Sequence, residues 1–322
     1  MQNKDMNTQD QLPLVVGVDL GGTQIRTAIL RGPTLLSRVG LLTGENPLPG
    51  RIVPRIYTAI QEALDKAGAT LEQMAGIGIA APGPLDYRTG VIFTPPNLAG
   101  WDHVPLRDIF TEHFHIPIYV ENDAHTAGLG EYMFGAGRGA NNIVYLTIST
   151  GIGGGVIING KILEGANGTA GELGHMTIDW HGDDPSTVEL HSSIFTEPDE
   201  LNVDTQTGSE QRGGHLHVNA RTVALAAEAG VPLARAIIQN TAEAIGVGLV
   251  NIIHCFNPEI IILGGGVTQM GPMLMEPALR VVQERAMKFP RESVRIVQAQ
   301  LGHNAGLIGA GALIYYHKNI KI

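Results

Sequence analysis

Val15-Val16-Gly17-Val18-Asp19-Leu20-Gly21-Gly22-Thr23-Gln24-Ile25-Arg26-Thr27-Ala28-Ile29-Leu30 is the stretch on which the fold turns. Residues 15–19 form an apolar run that reads as a buried strand. Residues 24–30 read as a second strand, with the glycines between them making a tight turn. The product is a hairpin, not a strand-to-helix turn. The chain has no GxxxxGK[ST] and no glycine turn opening a helix within a βαβ unit, so neither a P-loop nor a dinucleotide fingerprint is present. The same arrangement returns at 143–148 and 155–158, around Ser149-Thr150-Gly151-Ile152-Gly153-Gly154, which predicts two similar halves. A third glycine run, Leu263-Gly264-Gly265-Gly266-Val267, follows a strand predicted at 259–263.

Further strands are expected at 76–80 and 116–120. A helix is expected at 51–67, where Ile52, Ile56, Ile60 and Leu64 recur near helical spacing before Gly68. Others are expected at 234–254 and 305–316, the last notched by glycines. Strands alternating with helices define the class as α/β. The 322 residues are 43% hydrophobic and 16% charged, with mean hydropathy +0.08, enough for a large core in two lobes or one large α/β unit. No apolar run reaches the roughly 18 residues of a membrane span, and the polar opening lacks the pattern of a secretory signal, so the cytoplasm is the expected compartment and no membrane partner is expected. The single cysteine, Cys255, excludes a disulfide framework and any site of several thiolates. A net charge of −10, from 21 Lys+Arg against 31 Asp+Glu without a long basic run, argues against a nucleic-acid partner and for small ligands. The 42 glycines point to backbone that turns tightly or approaches a ligand closely.

Asp19 at a strand end, followed by Gly21 and Gly22, suits a phosphate with its Mg²⁺, because bare backbone NH groups can reach an anion. An ordinary glycine hairpin with a turn aspartate reads equally well from these five residues. The second glycine turn adds the hydroxyl of Thr150, and the third could admit a nucleotide base or ribose. Glu121-Asn122-Asp123 falls where a strand passes into a helix. It fits an N-cap, and it also fits a base, Asp123, that takes a proton from a substrate hydroxyl while Asn122 bonds a neighbouring one. Glu172 and His175, in Gly171-Glu172-Leu173-Gly174-His175, fit the hydrogen-bonded reading of a polyol. Ala81-Pro82-Gly83-Pro84 and Pro96-Asn97-Leu98-Ala99-Gly100-Trp101 are rigid loops suited to floor the same pocket.

In order and spacing these motifs resemble the ROK family of sugar kinases, repressors and open reading frames, across about residues 14–180 and 218–316. The resemblance implies an actin-like, hexokinase-like fold of two lobes with ribonuclease-H-like cores, with ATP and Mg²⁺ between them. It implies a smaller lobe from 1–121 plus the C-terminal helix at 305–322, and a larger one from 122–304. It also implies a hexose as phosphoryl acceptor, most often glucose at its C6 hydroxyl, and a homodimer. By the same resemblance Asp123 is the catalytic base, and Gly83, Asn97, Asn122, Glu172 and His175 bind sugar. Gly21, Gly22, Thr23, Thr150, Gly151, Gly265 and Gly266 hold ATP, and Asp19 orients Mg²⁺ through water. Regulators in the family carry a DNA-binding region ahead of the first glycine turn, where this sequence has 18 residues before Asp19. A sugar-binding regulator or an inactive binding protein is the alternative to a kinase.

The sequence departs from the family after His175. Most members continue with a CxCGxxGCxE segment whose thiolates, with the histidine, hold a structural Zn²⁺ and whose glutamate reaches the sugar. Positions 181–214 here contain no cysteine, eight acidic residues and one basic, and read as an exposed or mobile loop. Glu189 and Glu197 do not fall at the family's distance from His175. His181, His191, His215 and His217 match no zinc spacing, so no structural zinc is expected.

Overall fold

The computed structural model describes residues 11–178 and 219–320. Strands β1 (Leu14–Leu20), β2 (Gln24–Arg31) and β3 (Thr34–Leu42) form an antiparallel meander, and β4 (Met74–Ala81) pairs in parallel with β1. Three short strands, β5 (Leu85–Asp86), β6 (Val91–Ile92) and β7 (Val104–Pro105), make a small separate sheet. Strand β8 (Ile118–Asn122) then joins β4 in parallel, which gives the first sheet the order β3-β2-β1-β4-β8. The second sheet is built from β9 (Ile143–Ile148), β10 (Ile152–Ile158), β11 (Lys161–Ile162), β12 (Ile260–Gly264) and β13 (Arg295–Gln298), in the order β11-β10-β9-β12-β13. Its pairings repeat those of the first sheet, antiparallel from β9 to β11 and parallel from β9 through β12 to β13. The two halves expected from the repeated hairpin are therefore two sheets of one topology.

Helix α1 (Pro49–Ala67) buries Ile52, Ile56, Ile60 and Leu64 and stops at Gly68, whose φ of 62° suits glycine. With α2 (Leu106–Phe114) it covers the outer face of the first sheet. Helices α4 (Ala220–Glu228), α5 (Pro232–Phe256) and α6 (Pro272–Arg285) cover the second, and α7 (Lys288–Ser293) precedes β13. Between the two sheets lie α3 (Asp123–Phe134) and α8 (Ala305–His317), in a core that joins Leu30 and Val15 to Tyr145, Ile262, Leu307 and Leu313. Among the described residues α5 alone is long and apolar enough to cross a membrane, with mean hydropathy 1.4. Its Ile238, Ala242, Leu249 and Ile253 are instead buried in the core of the second sheet.

Helices α3 and α8 meet backbone to backbone. A Cβ on Gly130 would come within 3.0 Å of the Ala305 carbonyl and the Gly309 amide, and one on Gly309 would strike the Thr126 carbonyl. Glu131, fully buried near the end of α3, accepts hydrogen bonds from the Ala136 amide (2.8 Å) and the Leu301 amide (2.7 Å), which ties α3 to the loop that feeds α8.

Strand boundaries differ from the sequence reading by one to three residues: β8 runs over 118–122 where 116–120 was expected, and the largest shift is at β10. Strand β10 begins at Ile152, three residues before 155, and the Ser149 amide closes the hairpin on the Gly151 carbonyl (2.9 Å). Gly153, Gly154 and Gly155 are strand residues, not a turn. They are glycines because β10 presses on its neighbours: a Cβ on Gly153 would sit 2.9 Å from Ala124 Cβ, and one on Gly155 2.9 Å from the Ala124 carbonyl.

Candidate functional site

The parallel strands β1, β4 and β8 end together. Asp19 is in register with Ala80, and Ala80 with Glu121, so Asp19 and Glu121-Asn122-Asp123 emerge at one carboxyl edge, where open α/β sheets bind ligands. Asp19 is buried. The hairpin register sets Arg26 opposite it, and the guanidinium pairs with its carboxylate while donating to the His303 carbonyl (2.6 Å). Burial pushes the Asp19 carboxyl above the usual range, and the Arg26 charge works against that shift. The first turn of α8 closes over the group: a Cβ on Gly306 would lie 3.0 Å from Asp19 Oδ2.

Asn122 is the N-cap of α3. Its Oδ1 accepts from the Ala124 amide (2.9 Å) and the His125 amide (3.2 Å), as its residue type favours. Its amide nitrogen lies 3.1 Å from the position a Cβ would take on Gly83, so glycine there leaves room for the cap. Asp123 is the first helical residue, and its Oδ1 accepts from the Ala124 amide (2.7 Å). Its side chain is open to solvent while protein crowds it on most sides. This desolvation comes first among the causes that push its carboxyl up to about 6, followed by the Asp19 charge and, less strongly, that of Glu172; the Ala124 amide and His125 oppose them. A carboxyl raised by crowded surroundings and a neighbouring like charge suits a general base near neutral pH.

Glu172 stands just before the single turn Leu173–His175, with its Oε2 4.0 Å from His175 Nε2 and both side chains about half exposed, at 50% and 53%. The residues just before it, Ala170 and Gly171, pack on His125, two residues from Asp123, which brings the turn bearing Glu172 and His175 toward the edge that carries Asp19, Asn122 and Asp123. Arg26, Glu121 and His125 belong to the same surroundings but were not singled out from sequence. The spacing of Glu121 and His125, four apart across a strand-to-helix boundary, was the available signal for that pair.

Around the first hairpin, the Thr43 hydroxyl donates to the Gly21 carbonyl (2.7 Å), and the Thr43 amide to the Thr23 carbonyl (2.8 Å). Gly22 packs on Asn97, whose Cβ lies 2.8 Å from the position a Cβ would take on Gly22. In the second hairpin Thr150 is exposed, and the space beside Gly151 is open, with no atom within 4 Å of a Cβ placed there. Gly265, at φ 88°, packs on the Ile148 backbone, and Gly266 has open space. Gly22 and Asn97 thus meet at the first hairpin, Gly265 meets Ile148 beside the second, and β10, which leaves the second hairpin, lies on Ala124. An apolar pocket on the other face of the second sheet, lined by Leu146, Ile152, Leu173, Met176, Thr241 and Ile252, has no ionisable residue in its lining. Glu189, Glu197, His181, His191, His215 and His217, with the whole segment 181–214, lie outside the described residues. Among the described residues no three His, Cys, Asp or Glu side chains are grouped to hold a metal ion.

Two sheets of one topology, with two central helices between them and a carboxylate pair at the edge of one, define a two-lobed α/β fold of the hexokinase-like kind. The ROK family profile matches residues 15–194 and 204–316, and the chain belongs to that family. It is 32% identical over 316 residues to a glucokinase of Halalkalibacterium halodurans, covering 94% of this chain and 96% of the relative. It is 28% identical over 324 residues to a xylose repressor of Caldicellulosiruptor bescii, covering 97% of this chain and 79% of that one. The crystal structure of a ROK family glucokinase from Streptomyces griseus in complex with glucose and AMPPNP is 28% identical, has a TM-score of 0.72, and matches 93% of this chain and 98% of that one.

Proposed function

We propose that this protein is an ATP-dependent hexose kinase acting on glucose at the C6 hydroxyl. The observation that carries the proposal is Asp123, an open carboxylate at a helix start, raised to about 6 by its crowded surroundings and by Asp19. The hydroxyl oxygen of the sugar attacks the γ-phosphorus of ATP, Asp123 accepts the hydroxyl proton, and ADP leaves. Phosphoryl transfer asks little more of a protein than positioning, charge neutralisation and one base. Gly83, Asn97, Asn122, Glu172 and His175 hold the sugar, with Glu172 and His175 facing its hydroxyls. Gly21, Gly22, Thr23, Thr150 and Gly151 receive the phosphates, and Gly265 and Gly266 the adenosine. The bare backbone at Gly151 and Gly266 leaves space for them.

Asp19 suits Mg²⁺. It is one buried carboxylate beside glycines, and Mg²⁺ is usually held by one or two carboxylates with waters and substrate phosphates. When bound, the ion neutralises charge on the phosphates. The lobes of this proposal are 1–121 with 305–322 and 122–304, and a cytoplasmic homodimer is part of it. With one cysteine in the chain, purified protein is expected to carry far less than one Zn²⁺ per chain by metal analysis.

A glucokinase and a repressor are both among the relatives, and the glucokinase in complex with glucose and AMPPNP supports the ligand pair proposed here. The deciding experiment is ADP formation measured with glucose, fructose, mannose, allose and N-acetylated amino sugars. Hexose-dependent ADP release is expected, fastest with glucose. Hexose binding without ADP release would select a sugar-binding regulator or inactive binding protein instead.

A further inference from the structure

Between the two halves of the proposed sugar site lies a buried imidazole to which no role has been given. His125 is 4% exposed, in the first turn of α3, two residues after Asp123. Its Nδ1 faces Glu121 Oε1 at 3.2 Å, and its Nε2 faces the Ala170 carbonyl at 2.6 Å. The same Glu121 oxygen accepts the Asn122 amide at 2.8 Å. Both ring nitrogens therefore face acceptors, and only an imidazole carrying both protons satisfies both.

The ring is also enclosed by backbone from other elements. Gly171 (φ 96°) places the position of a Cβ 3.1 Å from His125 Nε2, and Gly155 of β10 places one 3.1 Å from His125 Cα. Three segments thus converge on one residue: the strand end and helix start that carry Asn122 and Asp123, the strand leaving the second glycine hairpin, and the turn entering Glu172. Ala170 is two residues from Glu172, so the hydrogen bond to its carbonyl fixes where that turn begins.

We infer that His125 is a positioning residue that pins the Ala170–Gly171–Glu172 turn to the start of α3 and so sets the distance between the sugar-reading carboxylate and the base. This rests on the hexose-kinase reading for its consequence in catalysis but not for the pin itself. The ionisable groups facing the ring are Glu121 from β8, Glu172 from the turn and Asp123 from its own helix. Burial disfavours the charged ring. Glu121 and the Ala170 carbonyl outweigh it, and hold the imidazole above the ordinary histidine value. The pin should hold at neutral pH and slacken as the pH rises.

The test compares wild type with His125→Phe, which fills the space without donors, and His125→Asn, whose shorter side chain keeps a donor near Glu121 and cannot reach Ala170. Amide hydrogen exchange is read at residues 164–176 in the ligand-free proteins, and KM for hexose and ATP with kcat across pH. Both variants are expected to exchange faster at 164–176 with β9 and α8 unchanged. The hexose KM should rise about tenfold, roughly the factor carried by one hydrogen bond to a charged group, with the ATP KM and kcat changed less than about threefold. Wild-type hexose KM should rise on the alkaline side, and that rise should vanish in both variants. Unaltered exchange at 164–176 in a folded variant overturns the inference, as does a matched rise of both KM values. If wild type phosphorylates no hexose, the functional reading fails, and the exchange measurement alone decides whether the pin exists. Should His125→Phe not fold, His125→Asn carries the same comparison.

Discussion

The two sheets share strand order and pairing, yet their carboxyl edges carry opposite chemistry. At the end of β1 and β8 stand Asp19, Glu121 and Asp123, with Arg26 and His125 paired to two of them. The matching ends of β9 and β12 carry Ser149, Thr150, Gly151 and the glycines 264–266, without a charged side chain. In the proposed reading one backbone plan serves two jobs, an acidic edge for a cation and a proton and a bare edge for phosphates and a base. The duplication supplies the frame, and a handful of side chains on one copy supply the reactivity.

The severest way to break this contrast is to disarm the acidic edge. Asp123→Asn keeps the helix start, since Asn122 is the cap, and should lower turnover by roughly 10²-fold or more, the usual worth of a placed base. Steady-state turnover with unchanged circular dichroism tests it, and near-wild-type turnover would reduce Asp123 to a first-turn helix residue. The bare edge is tested next by Gly151→Val, which adds bulk where the structure leaves open space. ATP affinity should fall about tenfold while hexose affinity changes less than about twofold, because the side chain obstructs phosphate approach alone. Calorimetric titration of each ligand separates that outcome from an equal loss of both.

A pH profile sharpens the comparison without a mutation. Asp123 must be ionised to accept a proton, and its carboxyl is raised to about 6, so kcat/KM for hexose should fall about tenfold per unit below that pH, reach its plateau above it, and decline again only on the alkaline side as His125 loses its proton. A profile flat down to about pH 4, the ordinary carboxylate value, would mean that the acidic edge does not set the base. The smallest effect on activity belongs to a residue that joins the halves without facing ligand. Glu131→Ala leaves the Ala136 and Leu301 amides without their acceptor and should cost about 1–3 kcal/mol of stability. Denaturant unfolding measures the loss, and both KM values should remain within about twofold.

Much of this architecture was legible because it rests on local patterns. The hairpins, the helix α1 with its glycine stop, and the α/β alternation follow from apolar periodicity and punctuation. What was hidden depends on distant partners. Gly153 and Gly154 read as part of a turn because glycine marks both turns and close packing, and only their contacts with Ala124 and Gly171 distinguish the two. Strand β3 alternates exposed and half-buried residues at the edge of its sheet and gave no apolar run to notice. In the site, Asp19, Asn122, Asp123, Glu172 and His175 were named from motif and resemblance; Asp19, Asn122 and Asp123 emerge at one sheet edge, and Glu172 stands beside His175. Arg26, Glu121 and His125 were given no role, because an ion pair across a hairpin and a bond to a carbonyl 45 residues away have no signature along the chain, and the four-residue spacing of Glu121 and His125 was the one local signal.

The contact of α3 with α8 bears on how such a molecule wears out. Asp123 begins one helix, Gly306 at the head of the other rests on Asp19, and at Gly130 and Gly309 the two helices touch main chain to main chain. The separation of the two helices is then set there by main chain against main chain, with no rotamer to drift at the point of contact. Oxidation of an exposed side chain such as Met287 would leave that contact untouched.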